Sequence, residues 1–262
     1  MNTVHLESFY ELGAHLRRYI VGKASLEPCD SVLRFVTTDA SAQEYSDAQI
    51  DDCQERARRA FLWNPPLRLV TRARFSHPTG ALRGTAGFGF WNDPFVMTGS
   101  RPPALPRALW FFYASPPSNM KLDVDVAGFG WKAATIDASR PAALAWIPFA
   151  PGLMLLMNVP LLYRLFWPPV QRSLCIREAE LDLDMTDWHT YEIDWHAART
   201  CFKVDGAVLL DTVAAPRGPL GFVMWLDNQT MVITPWGRFR WGLLDAPGRQ
   251  WMEVDDLVIE SL

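Results

Sequence analysis

The chain has 262 residues, of which 49% are apolar, enough to bury the core of one large all-β domain or two small ones. The formal net charge is -4 and no basic stripe is present, which argues against a nucleic-acid partner. Twelve tryptophans, together with 20 prolines and 16 glycines, favour strands, tight turns and a surface that faces a ligand.

The N-terminal segment carries two expectations. Apolar residues recur at near-helical spacing in residues 6–20, which predicts a short amphipathic helix within an N-terminal extension, residues 1–30. The segment has no basic start followed by an apolar run, so we expect no signal peptide and a cytoplasmic protein.

The pattern from residue 32 onward is mostly that of short strands. Residues 46–61 are ambiguous between a helix and a strand or loop, whereas residues 67–76 alternate apolar and polar side chains as a half-buried strand does. No second core or flexible linker is visible, so we expect a single sandwich or barrel domain over residues 1–262. The other predicted strands, separated by Gly, Pro and Asp turn signals, are 32–36, Thr85–Trp91, 108–114, 131–136, 181–185, 189–195, 201–204, 222–226 and 252–259.

Residues 142–174 form a highly apolar stretch that could be mistaken for a membrane span. A spanning helix needs about 20 continuous apolar residues with every backbone group satisfied. Five prolines interrupt this stretch, so we expect no span but an insertion that acts as a lid, a dimer interface or a membrane-surface contact. The prolines are Pro148, Pro151, Pro160, Pro168 and Pro169.

The most specific local pattern is a predicted hairpin over residues 188–209. It resembles the hallmark of the laminarinase-type glycoside hydrolases (family sixteen) and their concanavalin A-like relatives, in which a W/F-H-x-Y strand precedes a Trp and a later strand ends in V-D-G. Residues 251–259 are similar to that family's closing strand, and residues 86–91 to the strand before its catalytic motif. The hairpin positions that carry the resemblance are Trp188, His189, Tyr191, Trp195, Val204, Asp205 and Gly206.

The resemblance covers roughly residues 65–262. It implies an all-β fold, a concanavalin A-like β-sandwich (jelly roll) of two antiparallel sheets, with the N-terminal extension and the apolar, Pro-rich insertion added to it. Fold alone does not give an activity.

The catalytic motif of that family is missing here. The enzymes carry E-x-D-x-x-E on the next strand, and their two carboxylates act about 5–5.5 Å apart as nucleophile and acid. The corresponding strand, residues 106–115, contains no Asp or Glu, and its two faces present Trp110 and Phe112 on one side and Phe111 and Tyr113 on the other. We therefore expect a cleft with a hydrophobic floor, and not a standard retaining glycosidase.

Two acid-amide clusters supply the polar chemistry that remains, one after the strand ending at Trp91 and one after the strand containing Trp225. We predict Asp93 and Asp227 as catalytic acid or base if burial raises their pKa values. The alternative for both clusters is turn capping through bonds to nearby backbone. The predicted ligand contacts are Trp91, Asn92, Trp110, Phe112, Tyr113, Trp131, Trp225, Asn228 and Gln229.

We expect neither a metal nor a cofactor. No H-E-x-x-H pair and no Gly-rich phosphate loop is present. We interpret residues 45–47 and 51–52 as a charged turn rather than a cation site, and residues 180–184, whose alternating acids mimic the catalytic spacing, as a solvated strand face. Without metal-ligand spacing, the cysteines are expected to be reduced thiols. They are Cys29, Cys53, Cys175 and Cys201.

Three functions remain open at this point. The first, which we favour, is binding of a small, largely apolar molecule in the cleft, with isomerisation or cyclisation of that molecule as a possible reaction. The second is a carbohydrate-binding or glycoside hydrolase-like protein with non-standard catalytic residues. The third is a non-catalytic interaction protein that forms a homodimer through residues 142–174.

Overall fold

Two antiparallel β-sheets pack face to face in the computed structural model, which describes residues 4–6, 15–95 and 101–262. The strands in this part of the chain are β1 Val4–Leu6, β2 Arg17–Val21, β3 Ala24–Cys29, β4 Val32–Ala40, β5 Asp47–Asp51, β6 Leu67–Phe75, β7 Thr85–Trp91, β8 Arg107–Ala114, β9 Asn119–Met120, β10 Gly130–Asp137, β11 Arg177–Glu180, β12 His189–His196, β13 Arg199–Val204, β14 Ala207–Thr212, β15 Gly221–Asp227, β16 Gln229–Ile233, β17 Phe239–Leu243 and β18 Ala246–Ser261.

The sheet order mixes strands that are distant in sequence, as in a jelly roll. The first sheet runs β14-β13-β12-β6-β18-β4-β3, with β1 also paired to β18. The second runs β11-β10-β8-β7-β15-β5-β2, and a small third sheet runs β17-β16-β9. The predicted sandwich of two antiparallel sheets is confirmed.

Alternating side chains explain how the two main sheets form one core. In β6, Leu69 and Phe75 are buried while Arg72 is exposed, as a period of two requires. Strand β8 supplies Phe111 to the same core, where its ring packs edge-on against Phe202 from the first sheet at 5.3 Å. The buried aromatic layer between the sheets fixes which face of the second sheet remains outside.

A helical insertion, residues 141–173, separates β10 from β11. Pro141 and Pro160 stand at the starts of two of its helices, where a missing N–H costs nothing. Pro148, Pro151 and Pro160 stand at or near the starts of separate short helical pieces, whereas Pro168 and Pro169 lie inside the last one. These pieces are α1 Pro141–Leu144, a 3-10 turn Ile147–Phe149, α2 Ala150–Leu156 and α3 Pro160–Ser173.

No helix in the described ranges is long and apolar enough to cross a membrane. One side of the insertion packs on the sandwich through Met157, Tyr163, Trp167 and Val170. The indole of Trp167 donates a hydrogen bond to the backbone carbonyl of Leu122 at 2.6 Å.

Two predictions about local structure differ from the structure, and one ambiguity is resolved. Residues 181–185 form no strand, because the strand lies earlier, at β11, where it pairs with β10. The prediction of a helix over residues 6–20 is wrong for residues 17–20, which belong to strand β2 and pair with β5 at the edge of the second sheet. Residues 7–14 of that predicted helix lie outside the described residues. The ambiguous residues 46–61 contain strand β5 and a 3-10 turn.

Candidate functional site

A cavity of about 480 Å³ lies on the outer face of the second sheet. Its base is formed by β7, β8 and β15, and the third sheet and the loop after β9 form one wall. Apolar side chains dominate the lining, with a few polar groups among them. The lining residues are Tyr45, Gln49, Thr85, Trp91, Pro94, Phe95, Pro106, Arg107, Ala108, Trp110, Phe112, Met120, Leu122, Ile136, Trp225, Asp227, Gln229, Met231, Ile233, Phe239 and Trp241.

Four aromatic side chains form the base of the cavity, which we call the aromatic floor: Trp91, Trp110, Phe112 and Trp225. The rings of Trp110 and Phe112 stack with centroids 5.4 Å apart, and the Trp110 and Trp225 centroids are 5.6 Å apart. Aromatic faces at these spacings stabilise one another and leave a broad apolar surface for a ligand.

The aromatic floor depends on a glycine in β7. A Cβ atom at Gly87 would lie 2.3 Å from the carbonyl oxygen of Phe111 and 2.9 Å from the Trp225 ring. Gly87 pairs with Trp225 across the strand register, so the missing side chain leaves the space that the indole occupies.

One end of the cavity is polar and centres on Asp227, at the end of β15. Its Oδ1 accepts hydrogen bonds from the Thr85 hydroxyl at 2.8 Å, the Thr85 backbone N–H at 3.1 Å and the Gln229 backbone N–H at 2.9 Å. The Trp225 indole donates to the Thr85 hydroxyl at 2.9 Å, which couples this end to the aromatic floor. These bonds fix Oδ1 and leave Oδ2 for another partner.

A second carboxyl group lies beside Asp227. Asp47 is its register partner on β5, so both side chains project from the same face of the sheet. Asp47 is fully buried, and neither of its carboxylate oxygens has a hydrogen bond of regular geometry among the described residues. We call Asp47 and Asp227 the acid pair.

Burial and mutual repulsion set the protonation of the acid pair. Burial raises the pKa of Asp47 well above its usual range, the neighbouring Asp227 raises it further, and the nearby Tyr45 phenol lowers it. Burial also raises the pKa of Asp227, against the hydrogen bonds from Gln229 and Thr85, which lower it. Burial therefore favours the protonated, neutral form of these carboxyl groups.

Two further polar side chains border this end. Burial raises the pKa of the Tyr45 phenol, and the charges of Asp47 and Asp227 raise it as well, so it stays a neutral donor. Gln229 accepts a hydrogen bond at Oε1 from the Trp241 indole at 3.1 Å, which ties the third sheet to the cavity.

The structure brings six of the predicted site residues to the cavity. Asp227 lies at its polar end with Gln229, and the others form the aromatic floor. The predicted hydrophobic floor on the strand corresponding to the family's catalytic strand lies in β8, at Trp110 and Phe112.

The predicted catalytic residue Asp93 lies away from the cavity lining. It is buried, with positive φ, and forms an ion pair with Arg101. Its neighbour Asn92 accepts a hydrogen bond from the Arg107 backbone N–H at 2.9 Å and donates to the Leu105 carbonyl at 3.0 Å. Both residues stabilise the connection between β7 and β8, which is the turn-capping role that the sequence offered as the alternative.

Three predicted ligand contacts also lie elsewhere. Asn228 accepts from the Ser46 N–H at 2.9 Å and donates to surrounding backbone carbonyls, which anchors a loop. The Tyr113 hydroxyl donates to the Leu82 carbonyl at 2.8 Å inside the core. Trp131 packs between the sheets, because its position in β10 faces the first sheet.

Several cavity residues were not predicted from the sequence. Gln49 lines the cavity and Asp47 lies beside Asp227 without lining it. Both alternate with the buried Ala48 and Ile50, so a period of two was present, although their acidic neighbours suggested a charged turn. The interpretation of residues 45–47 and 51–52 as a turn is therefore corrected, since most of them belong to or adjoin a buried strand.

The remaining polar clusters lie outside the cavity. Glu180, Asp182 and Asp184 are exposed and do not line it. His189 contacts Asp205 Oδ2 at 2.6 Å and the Asp184 carbonyl at 3.0 Å, which ties the hairpin to the preceding loop. Over the ranges 15–95 and 101–262, no group of three or more His, Cys, Asp or Glu side chains is placed to hold a metal ion.

The fold and the two-sheet topology define a concanavalin A-like jelly roll, the fold of laminarinases, lichenases and lectin carbohydrate-recognition domains. A laminarinase from Flavobacterium sp. UMI-01 matches with a TM-score of 0.53 and 11% identity, over 100% of this chain and 99% of that chain. A lichenase derived from a mouse hindgut metagenome matches with a TM-score of 0.54 and 11% identity, over 100% of both chains.

A lectin-type domain is similar to the same degree. The exoplasmic/lumenal domain of VIP36, in its Ca²⁺/Man3GlcNAc-bound form, has a TM-score of 0.53 and 10% identity, over 98% of this chain and 88% of that chain. No protein-family model and no curated protein matches the sequence. At these identities the likeness establishes the fold, and the predicted resemblance in fold is confirmed.

Proposed function

We propose that the cavity binds a small, largely apolar molecule. The observation that carries this proposal is the aromatic floor, which faces further apolar side chains from the third sheet, among them Met231 and Trp241, across a cavity of about 480 Å³. Cavities of roughly 300–1,000 Å³ with apolar walls and a few placed polar groups are typical of small-molecule sites. The polar end at Asp227 would orient one polar group of the ligand.

The acid pair gives the same cavity a means of proton transfer. Protonated Asp227 can donate its proton to a ligand double bond or oxygen, and the Asp227 carboxylate left behind can then remove a proton from a neighbouring carbon. The ligand then gains one proton and loses one, which is the balance of an isomerisation or a cyclisation. Asp227 is the group we assign to contact the ligand, because it lines the cavity and Asp47 does not.

Carbohydrate binding is the second candidate. It is supported by the aromatic floor, on which a sugar ring could stack, and by neighbours that are a laminarinase, a lichenase and a carbohydrate-bound lectin-type domain. A sugar would require hydrogen bonds around its whole edge. Most polar groups here lie near Asp227 and Gln229, and Arg107 at the other end donates to the carbonyls of Arg217 and Gly218. This distribution favours the apolar ligand.

A thermal-shift screen of the full chain separates the two candidates. One arm contains apolar metabolites that carry a single polar group, and the other contains β-glucan and mannose oligosaccharides. We expect a raised Tm only in the first arm, because a ligand that binds the folded state stabilises it. A shift with the oligosaccharides alone would support the carbohydrate candidate and reject the apolar one.

A further inference from the structure

The helical insertion exposes a set of large apolar side chains that the fold does not cover. Leu155 and Leu161 are each 76% exposed, and Phe149 is 63% exposed. Large contiguous apolar surfaces on a folded domain mark interaction sites. The apolar face comprises Leu144, Ile147, Phe149, Met154, Leu155, Leu156, Val159, Leu161 and Leu165.

The helices of the insertion are apolar on both sides. Their inner side packs on the sandwich through residues such as Tyr163 and Trp167. A surface helix of a water-soluble domain usually turns charged residues outward. Here the outward positions of α2 are Met154, Leu155 and Leu156. The outer side of the insertion is therefore suited to an apolar environment.

Arginine is the only charged residue type in the two chain segments that carry the apolar face and the adjoining hairpin, whereas Asp123, Asp125 and Glu178 lie near Tyr163 on the inner side of α3. Residues 138–177 and 228–244 contain no Asp, Glu or Lys, although the whole chain has a net charge of -4. The side chains of Arg164, Arg238 and Arg240 are exposed, and no carboxylate pairs with them in the part of the chain that the structure describes. The two segments contain Arg140, Arg164, Arg172, Arg177, Arg238 and Arg240.

The β16–β17 hairpin brings these segments together. The rings of Tyr163 in α3 and Trp236 in the hairpin turn meet edge-on at 5.4 Å. The Asn158 side chain contacts the Trp236 carbonyl at 3.5 Å. Arg238 and Arg240 therefore lie on the hairpin that adjoins the apolar face, with the exposed cavity residue Phe239 between them.

We propose that the apolar face docks on the surface of an anionic lipid bilayer. Apolar side chains enter the boundary between headgroups and acyl chains, while arginines at the edge pair with lipid phosphates. A second copy of this chain fits less well, because a self-complementary contact would bring unpaired arginines of the same sign close together. The docking surface goes beyond the proposed ligand and does not depend on it.

Vesicle co-sedimentation of the full chain tests the docking. We expect the protein to pellet with vesicles of phosphatidylcholine and phosphatidylglycerol, and less with phosphatidylcholine alone. The double variant L155E/L161E should lower the bound fraction at least about tenfold, because each substitution places a charge in the acyl boundary. The matched control is V208E/V213E, since Val208 is 60% and Val213 is 84% exposed at and just after β14.

A second pair of variants tests the charge. R238Q/R240Q should weaken binding to the anionic vesicles, and added salt should weaken binding of the wild type. Circular dichroism and Tm measurements confirm that each variant folds. The proposal is rejected if the wild type stays in the supernatant with anionic vesicles, or if V208E/V213E reduces binding as much as L155E/L161E. If light scattering shows that the wild type is a dimer and that L155E/L161E is a monomer, the apolar face binds a second copy of this chain instead.

Discussion

Asp227 and Asp47 are the residues whose chemistry most distinguishes this cavity from a simple apolar pocket. Because burial raises the pKa of each above that of an unfolded Asp, the folded protein holds more protons than the unfolded chain above about pH 4. Their contribution to the free energy of unfolding is therefore full at low pH and is lost as pH rises through the raised pKa values. As pH rises through this range, the acid pair therefore lowers the free energy of unfolding, and this is the pH range in which the pair exchanges protons.

The variant D227N should remove much of this pH dependence. An amide oxygen can still accept the bonds that Oδ1 accepts from Thr85 and Gln229, but it carries no charge. At pH 8 we expect its free energy of unfolding to exceed that of the wild type by at least about 1 kcal/mol. Urea unfolding from pH 5 to pH 8 measures this difference. The exposed Asp182 provides the control D182N, and equal slopes in all three proteins would contradict the assignment.

The aromatic floor makes a separate prediction about binding. Replacing Trp225 by Ala removes an indole that contacts both Trp110 and Phe112, and we expect ligand affinity to fall by about 2–4 kcal/mol, or at least about 30-fold. Titration calorimetry with a compound from the thermal-shift screen measures the change. The control is W251A, because Trp251 lies on the first sheet beside Arg34 and Arg74. Equal losses in both variants would place the ligand elsewhere.

At the level of elements, β7 shows how a glycine within a strand makes room for the site. Gly87→Ala places a Cβ against the Phe111 carbonyl and the Trp225 ring, so we expect the free energy of unfolding to fall by about 1–3 kcal/mol. Gly152 in α2 is the matched control, since a Cβ there meets nothing within 4 Å and Ala favours a helix. Denaturant unfolding compares the two, and a Gly87→Ala variant as stable as Gly152→Ala would contradict this account of β7.

The elements also show what the sequence could predict. Alternation predicted β6 with one residue too many at its end, and an apolar run between turn signals predicted β7 at its observed bounds, because burial on one or both faces is visible in the residue order. Strand β5 was harder to predict from the sequence, because its outward face holds Asp47 and Asp51. Both side chains are buried by neighbouring elements rather than by the sheet to which β5 belongs. The helix wrongly predicted across β2 shows that edge pairing can override local periodicity.

The composition of the cavity was predictable only in part. Trp110 and Phe112 were found because they share a strand face with no acid on it. Phe239 and Trp241 were not predicted as cavity residues, because they line the cavity only where the β16–β17 hairpin folds back over the second sheet. Tyr113 and Trp131 were misplaced because each lies on a strand that is buried on both faces, and sequence alone does not decide which face meets the core.

At the scale of the whole molecule, a fold shared with glucanases carries an aromatic floor on its second sheet. Strand β8 holds no carboxylate, so the paired acids that retaining glycosidases need about 5–5.5 Å apart are missing from it. We expect no cleavage of laminarin or lichenan above a buffer blank in a reducing-sugar assay. Cleavage that D227N abolishes would show that the acid pair performs glycoside hydrolysis from another strand.

A crystal structure of the full chain, grown with the compound that gives the largest thermal shift, tests the proposed ligand most directly. We predict continuous density for that compound over Trp110 and Trp225, with its one polar group facing Oδ2 of Asp227. Density on another surface, with the aromatic floor bare, would contradict the account, as would a sugar chain stacked on that floor.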